Sequence, residues 1–370
     1  MSAAGYSHLM SWISSSVAEA ARLHHREVDA DHLLLGLIAQ GGRAAQVLGC
    51  HGVSLATARQ ALAEVSRGDL AGISIDPATV PLPAPLTPSE ILAHQHHGEI
   101  PLGEGVRRLV GSKETSLTTS LGALQALLAD RGAGVARVLS HLGVDLEALG
   151  AELGEVSEEP DPVARQVQVD RTLLPRDAAA VGVTCFVSAP SRDVLAVLAD
   201  PAALSGWAVD RGDITATHAD GVTVRYRSRL RRRHQDLRWV LRDGQGATWL
   251  RVLLGGPRDG AVLSYDHLEV APAQGGSLVT LSRGYRPWRF LGRPGRHLAD
   301  VAARTGVVNA VPALARTVAA RLTGPSDWYA PERISSKSPC SCTGSSACVI
   351  ASPHHAFIVL PPNFVPPDKR

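Results

Sequence analysis

The feature that most constrains this chain is a helical segment that occurs twice. Residues 29–55 read DADHLLLGLIAQGGRAAQVLGCHGVSL, and a diverged copy follows at an offset of 91 residues, within 120–153. The apolar residues recur with the period of a helix that buries one face, and each helix is too short to be stable alone. The chain therefore begins with two copies of a helical unit that must pack together. The residues that recur identically are Leu33, Leu37, Gly41, Ala45, Val47, Leu48, Gly52, Val53, Leu55 and Leu62, matched by Leu124, Leu128, Gly132, Ala136, Val138, Leu139, Gly143, Val144, Leu146 and Leu153.

Capping residues divide the first copy into separate helices. Asp29 or Asp31 is a suitable N-cap for the leucine-rich helix, and the pair Gly41-Gly42 ends it. Ser54 caps the next long helix, and aspartate takes the same place in the second copy. A lead-in helix is predicted over residues 6–25.

Residues 31–38, DHLLLGLI, together with the flanking helices, resemble the Clp amino-terminal (Clp R) repeat, which normally occurs twice. The resemblance covers residues 1–155 and implies an all-α domain that docks a protein, either a degradation substrate or an adaptor of the Clp system. Asp31 and His32 lie in its most specific motif and are the candidate docking residues. Ala123 stands where His32 would recur in the second copy.

The chain contains no Gly-Lys pair. A Clp-type ATPase needs a P-loop, G-x-x-x-x-G-K-[ST], because the lysine and the backbone amides of that loop hold the nucleotide phosphates. The sequence thus excludes Clp-type ATPase activity and predicts a recognition module without a motor.

After a predicted linker at 156–178, the hydrophobic period changes from 3.6 residues to 2. This change indicates β-strands, and glycine-rich turns separate them. A long helix over 297–322 closes the region. The predicted strands are 181–187, 214–218, 222–230, 237–242, 248–254, 261–270 and 277–285.

The segment 183–207, VTCFVSAPSRDVLAVLADPAALSGW, resembles the start of the SRPBCC (START-like, polyketide cyclase-like) superfamily. The resemblance covers 179–324 and implies an α+β helix-grip fold, in which a curved sheet wraps the last helix around a cavity for a small apolar ligand. The predicted fold class is thus multidomain: an all-α duplicated Clp-N-like domain plus an SRPBCC-like domain. The candidate cavity residues are Tyr226, Trp239, Trp249, Tyr265, His267, Arg283 and Tyr285.

Two alternatives remain for this second domain. It could be an enzyme of the cyclase or aromatase type, for which Tyr265, Asp266 and His267 are the candidate acid–base cluster. It could also be a structural interaction domain with a filled interior. The prediction that we favour, a non-enzymatic domain that binds a small apolar ligand, requires no catalytic residue.

The composition limits the kinds of partner that we expect for this chain. The net charge is +2, so we expect no nucleic-acid binding, and the alternating arginines Arg225, Arg227 and Arg229 are interpreted as a solvated sheet face. All but three of the 37 basic residues are arginine, which is typical of a GC-rich bacterial genome. We expect neither a membrane span nor a signal peptide, and therefore a cytoplasmic protein.

The remaining candidate ligands for a metal do not form a recognised set, so no metal or other cofactor is predicted. His94 and His97 have helical spacing, but no carboxylate or cysteine completes a site. The last residues, 325–370, are rich in serine, proline and cysteine and are predicted to be a disordered tail.

Overall fold

In the computed structural model of the protein, the described residues are 3–76, 102–111, 117–129, 134–155, 162–227, 234–242, 244, 246–287 and 292–322. A helical region comes first and a large antiparallel sheet with helices follows, as the sequence predicts. The predicted tail and the histidines near residue 95 lie outside the described residues.

The helical region contains the predicted duplication. The first copy comprises α1 (Ala3–Arg22), α2 (Ala30–Gln40), α3 (Arg43–Cys50) and α4 (Leu55–Gly72). The second comprises α5 (Glu104–Gly111), α6 (Ser120–Ala129), α7 (Gly134–His141) and α8 (Leu146–Glu155). Helices α3 and α7, and α4 and α8, begin 91 residues apart, so the offset read from the sequence is also the offset of the structure.

The helix α2 is the centre of this region. Its residues from His32 to Gln40 are all buried, because α1 covers one side and the second copy covers another. The indole N–H of Trp12 in α1 donates to the carbonyl oxygen of Leu33 at 2.8 Å, which fixes α1 across the start of α2. The two copies share one hydrophobic core. Ser54 caps α4 as predicted, since its hydroxyl accepts a hydrogen bond from the backbone N–H of Thr57.

The sheet region is built on eight antiparallel strands in the order β1-β2-β8-β7-β6-β5-β4-β3. The strands are β1 (Arg165–Gln166), β2 (Ala179–Val187), β3 (Ile214–His218), β4 (Gly221–Arg227), β5 (His234–Arg242), β6 (Ala247–Leu254), β7 (Val262–Ala273) and β8 (Gly276–Tyr285). Two short helices, α9 (Ser191–Ala199) and α10 (Leu204–Trp207), follow β2. The long helix α11 (Gly292–Arg321) crosses the face of the sheet formed by β2 and β8.

One face of the sheet packs on α11 and the short helices, and is called the inner face here. Because side chains alternate along a strand, every second residue of β2 to β8 lies on this face. The inner face is apolar around α11, where residues such as Val183, Leu281 and Val307 form the core of the sheet region.

The segment 162–178, which the sequence assigns to a linker, belongs to the sheet region. Its strand β1 pairs with β2, and Val169 and Leu174 pack on the outer face against Tyr265. A two-residue strand at a sheet edge has no hydrophobic period of its own, which is why the sequence did not reveal it.

The helical and sheet regions are in contact. The backbone N–H of Gly42 donates to the carbonyl of Phe186 at 2.9 Å, and the N–H of Leu55 donates to the Ser188 hydroxyl at 2.8 Å. Position 41 requires glycine, because its φ is +77° and a Cβ there would lie 2.2 Å from the Phe186 carbonyl oxygen.

The end of α11 enters the helical region. Ala319 belongs to the helical core, and Leu322 packs against it. Arg59 of α4 donates to the carbonyl oxygens of Ala319 and Leu322, and its guanidinium also forms a two-point ion pair with Glu19 at 2.6 and 2.8 Å. The pair is almost completely buried, with 3% of the Arg59 side chain and 4% of the Glu19 side chain exposed. We call this arrangement the Arg59 clamp.

Candidate functional site

Of the two docking candidates of the helical region, His32 is buried and Asp31 is half-buried. His32 is 2% exposed, and its Nδ1 accepts a hydrogen bond from the backbone N–H of Asp29 at 2.9 Å. Its Nε2 therefore carries the proton and donates to Nδ1 of His25, 2.8 Å away. His32 thus holds the start of α2 and presents no surface to a partner.

Asp31 lies between the two copies. Its carboxylate faces Gly134 at the start of α7, where a Cβ would approach the Oδ1 atom to 2.4 Å. Among the described residues, none donates a hydrogen bond to that Oδ1 atom. Burial, together with the nearby Asp29 carboxylate, raises the pKa of Asp31 to about 6. Asp31 is consequently part of the contact between repeats.

We expect the histidine pair to make stability depend on pH. Burial, followed by the charge of His25, lowers the pKa of His32 to about 3, so the folded protein keeps His32 neutral while the unfolded chain binds a proton below pH 6.5. The contribution of His32 to the free energy of unfolding should therefore fall as the pH drops from about 6.5 to about 3, by up to about 1.4 kcal/mol per pH unit. Asp31 acts in the opposite direction between about pH 6 and its ordinary pKa, because its folded pKa is raised.

Urea unfolding at several pH values between 6.5 and 4 measures this dependence. His32→Asn keeps an acceptor for the Asp29 N–H and removes the titrating ring, so its stability should fall less steeply with acid than that of the wild type. Equal slopes in the two proteins would contradict the assignment.

The candidate functional site lies on the inner face of the sheet. Tyr226, Trp239 and Trp249 are brought together there by neighbouring strands β4, β5 and β6. The Trp249 indole N–H donates to the carbonyl of Leu198 in α9 at 3.1 Å, which fixes this ring. The Trp239 indole N–H lies near the Tyr226 hydroxyl, but makes no hydrogen bond of normal geometry with any described residue.

Three charged side chains lie within this aromatic layer. The carboxylate of Asp266 in β7 accepts two hydrogen bonds from Arg283 in β8, at 2.6 and 2.8 Å, and one from Arg251 in β6. Arg251 also donates to the Ser264 hydroxyl at 2.9 Å, and its guanidinium carbon lies 4.2 Å from the centre of the Trp239 ring. We call Arg251, Asp266 and Arg283 the Arg–Asp–Arg trio.

Burial and charge act against one another in the trio. Burial alone would raise the pKa of Asp266, yet the guanidinium groups of Arg251 and Arg283 hold it below its ordinary value. Burial also lowers the pKa of Arg251, which Asp266 partly offsets. Asp266 is fully buried, whereas 7% of the Arg283 side chain and 14% of the Arg251 side chain is exposed. Arg251 is therefore the member that solvent reaches most.

Tyr285 connects the sheet to α11. Its hydroxyl donates to Asp300 at 2.9 Å, and Asp300 also accepts from Arg304 at 2.7 Å. Burial, followed by the hydrogen bond to Asp300, raises the pKa of Tyr285, so the phenol stays protonated at neutral pH. This contact fixes the first half of α11 against the edge of the inner face.

Two of the candidate cavity residues lie on the outer face instead. The ring of Tyr265 packs under the segment 162–178, and its hydroxyl accepts from the backbone N–H of Asp170 at 2.8 Å. His267 bonds the Thr248 hydroxyl at 2.8 Å and lies beside Glu269. Tyr265 and His267 therefore do not converge with Asp266, because neighbouring residues of a strand point to opposite faces.

Of the alternating arginines, Arg225 in β4 lies as predicted, and the side chains of Arg227 and Arg229 are outside the described residues. Arg225 is exposed on the outer face and pairs with Asp236 at 2.8 Å. Within the described parts of the chain, no three His, Cys, Asp or Glu side chains are grouped so as to hold a metal ion.

One family model matches the helical region. Residues 7–81 match the family model of the Clp repeat (R) N-terminal domain. The first repeat is thus supported as a Clp N-terminal domain, which suggests a role in protein interaction within the Clp system. Among curated proteins, none matches the chain.

The similar solved structures are distant. They include protein Ms6760 from Mycobacterium smegmatis, 17% identical over 43% of this chain and 97% of that one, with a TM-score of 0.28. The NMR structure of CalU16 from Micromonospora echinospora is 16% identical over 44% of this chain and 76% of that one, with a TM-score of 0.26. The Aha1 dimer from Colwellia psychrerythraea is 11% identical over 36% and 97%, with a TM-score of 0.22. Likenesses this weak establish neither a family nor a function.

No single helix within the described ranges is long and apolar enough to cross a membrane. The pair α2–α3 meets the length and composition test only when the two helices are joined, and they are bent by 98°.

Proposed function

We propose that this protein is a recognition protein without ATPase activity, in which the helical region binds a protein of the Clp system and the sheet region binds a small, largely apolar ligand. The sheet region is then a helix-grip domain of the SRPBCC type. The alternative of an enzyme with Tyr265, Asp266 and His267 as its acid–base cluster is less well supported, because these side chains lie on two faces of the sheet.

The main support for ligand binding by the sheet region is the set of side chains on its inner face. An interior that serves stability alone is filled with apolar side chains, and buried charges usually weaken it. Here the layer between the sheet and the helices holds Trp239, Trp249 and Tyr226 beside the trio. Apolar walls with a few convergent polar groups are typical of small-molecule sites.

N-Phenyl-1-naphthylamine, an uncharged aromatic probe whose fluorescence rises in apolar surroundings, tests the ligand half. We expect saturable binding of one probe per chain, with a micromolar dissociation constant. Leu281→Trp enlarges a buried inner-face residue and should weaken binding, whereas Thr280→Trp places the same ring on the outer face and should not. Absence of saturable binding to the wild type would reject this half in favour of a structural domain.

Fluorescein-labelled casein, an unfolded model protein, tests the other half by fluorescence anisotropy. We expect binding that does not change when ATP and Mg²⁺ are added, because the chain has no P-loop. Binding that required ATP would contradict the proposal, and so would the absence of any binding together with no interaction with purified Clp unfoldases.

A further inference from the structure

We infer that the ligand of the inner face carries an anionic group, a carboxylate or a similar singly charged oxyanion, which binds at Arg251. This inference rests on the proposed ligand-binding function and specifies the chemistry of the ligand.

The trio holds two guanidinium groups and one carboxylate, so its formal charge is positive by one unit. A charge that is buried without a partner is costly, since the interior screens and solvates it poorly. An anionic ligand would complete the neutralisation that Asp266 begins. An uncharged ligand would instead exclude solvent from Arg251, whose charge would then be offset by the carboxylate that it shares with Arg283.

The two arginines of the trio differ in their hydrogen bonds. Arg283 directs both its Nε and one terminal nitrogen at Asp266, in the two-point geometry that arginine and carboxylate prefer. Arg251 instead divides its terminal nitrogens between Asp266 and Ser264. Its Nε–H is buried and finds no acceptor among the described residues. Arg251 therefore retains a charged donor that an oxyanion could accept from.

Arg251 is the most exposed member of the trio, and its guanidinium lies over the Trp239 ring. Burial raises the pKa of Tyr226, and the positive charge of Arg251 opposes this shift. A molecule placed against Trp239 would thus have aromatic surface on its body and donors from Arg251 and Tyr226 at one end. This arrangement suits an amphipathic molecule with an apolar body and one anionic end.

Two probes with the same aromatic skeleton test the inference. 8-Anilinonaphthalene-1-sulfonate differs from N-phenyl-1-naphthylamine by one sulfonate, and each is titrated into the full-length wild-type protein. A charge-assisted hydrogen bond to the sulfonate should make the anionic probe bind roughly ten- to a hundredfold more tightly than the neutral one. The two probes should also compete for one site.

Arg251→Met removes the charge but keeps a long apolar side chain, and Asp266 keeps its two bonds from Arg283. This variant should lose most of the preference for the anionic probe while its affinity for the neutral probe stays within about threefold of the wild type. Arg238→Met is the matched control, since Arg238 lies on the outer face of the same sheet and pairs with Asp220. It should keep the full preference.

The outcomes separate the two proposals. If neither probe binds the wild type, the ligand-binding function itself is rejected and the inference with it. If both bind with equal affinity, or if Arg238→Met and Arg251→Met lose the preference equally, the ligand site stands and its anionic specificity is rejected. Thermal unfolding of each variant accompanies the titrations. Should Arg251→Met not unfold cooperatively, the wild-type comparison of the two probes alone decides the inference.

Discussion

Replacement of Asp266 by alanine is expected to lower the free energy of unfolding by about 3–5 kcal/mol. Asp266 is fully buried and accepts hydrogen bonds from Arg251 and Arg283. Without its carboxylate, two guanidinium groups remain next to one another in the interior. The trio then has no negative charge to offset them. The loss should therefore exceed that of Arg251→Met, which leaves Asp266 bound to Arg283.

Urea unfolding followed by tryptophan fluorescence measures this loss, because Trp239 and Trp249 lie beside the trio. Asp236→Ala is the matched control. It removes a carboxylate that also pairs with an arginine of a neighbouring strand, but on the exposed outer face. Exposed ion pairs contribute little, so this variant should remain close to the wild type. Similar losses in both variants would show that the buried trio contributes no more to stability than an exposed ion pair.

Arg59→Met should cost a similar amount, about 3–5 kcal/mol, because it leaves the buried Glu19 carboxylate without its main partner. Arg22 lies 4.0 Å from Glu19 and can replace only part of that interaction. The same substitution removes the Arg59 donors to the carbonyl oxygens of Ala319 and Leu322 at the end of α11, where Arg22 still donates to those of Ala319 and Ala320. We therefore expect the wild type to unfold in one transition and Arg59→Met to unfold in two.

Differential scanning calorimetry distinguishes one transition from two. The double variant Glu19→Met, Arg59→Met removes both charges, so it should recover part of the lost stability while the two regions still unfold separately. Arg137→Met, at an exposed ion pair with Asp69 in the same helical region, serves as the control and should keep a single transition. A single transition in all variants would contradict the role of the Arg59 clamp.

The elements were predictable from local patterns. The duplicated segment revealed the helices because caps and glycines recur with the apolar residues, and Ile214–His218 forms β3 at the predicted bounds. Period-two alternation likewise indicated the strands from 222 to 285 to within a few residues, apart from residues 228–233, which lie outside the described ranges.

The faces of β7 were harder to predict. Both rows of this strand mix apolar and polar residues: Ser264, Asp266 and Leu268 form one row, and Tyr265 and His267 belong to the other. The sequence favoured the aromatic row as the interior. In the structure Tyr265 is buried as well, but by the segment 162–178 on the outer face. Only knowledge of that covering segment could have decided between the rows.

Arg251 was missed, although the sequence contains a signal for it. Trp249 was a candidate for the interior, and the residue two positions later on a strand shares its face. An arginine at that position calls for a carboxylate on the same face of a neighbouring strand. Asp266 meets that requirement, since Trp249 is its direct neighbour in the register between β6 and β7.

The position of the last turn of α11 has a consequence for synthesis on the ribosome. The amino-terminal helices emerge first, but Ala319 and Leu322, which complete their packing, emerge only after the entire sheet. Until then, the ion pair of Glu19 and Arg59 lacks the two carbonyl groups of α11 to which Arg59 donates in the folded protein. The nascent amino-terminal half is thus expected to remain susceptible to proteases until residue 322 has emerged from the ribosome, and a gene truncated before that codon should yield an incompletely packed product.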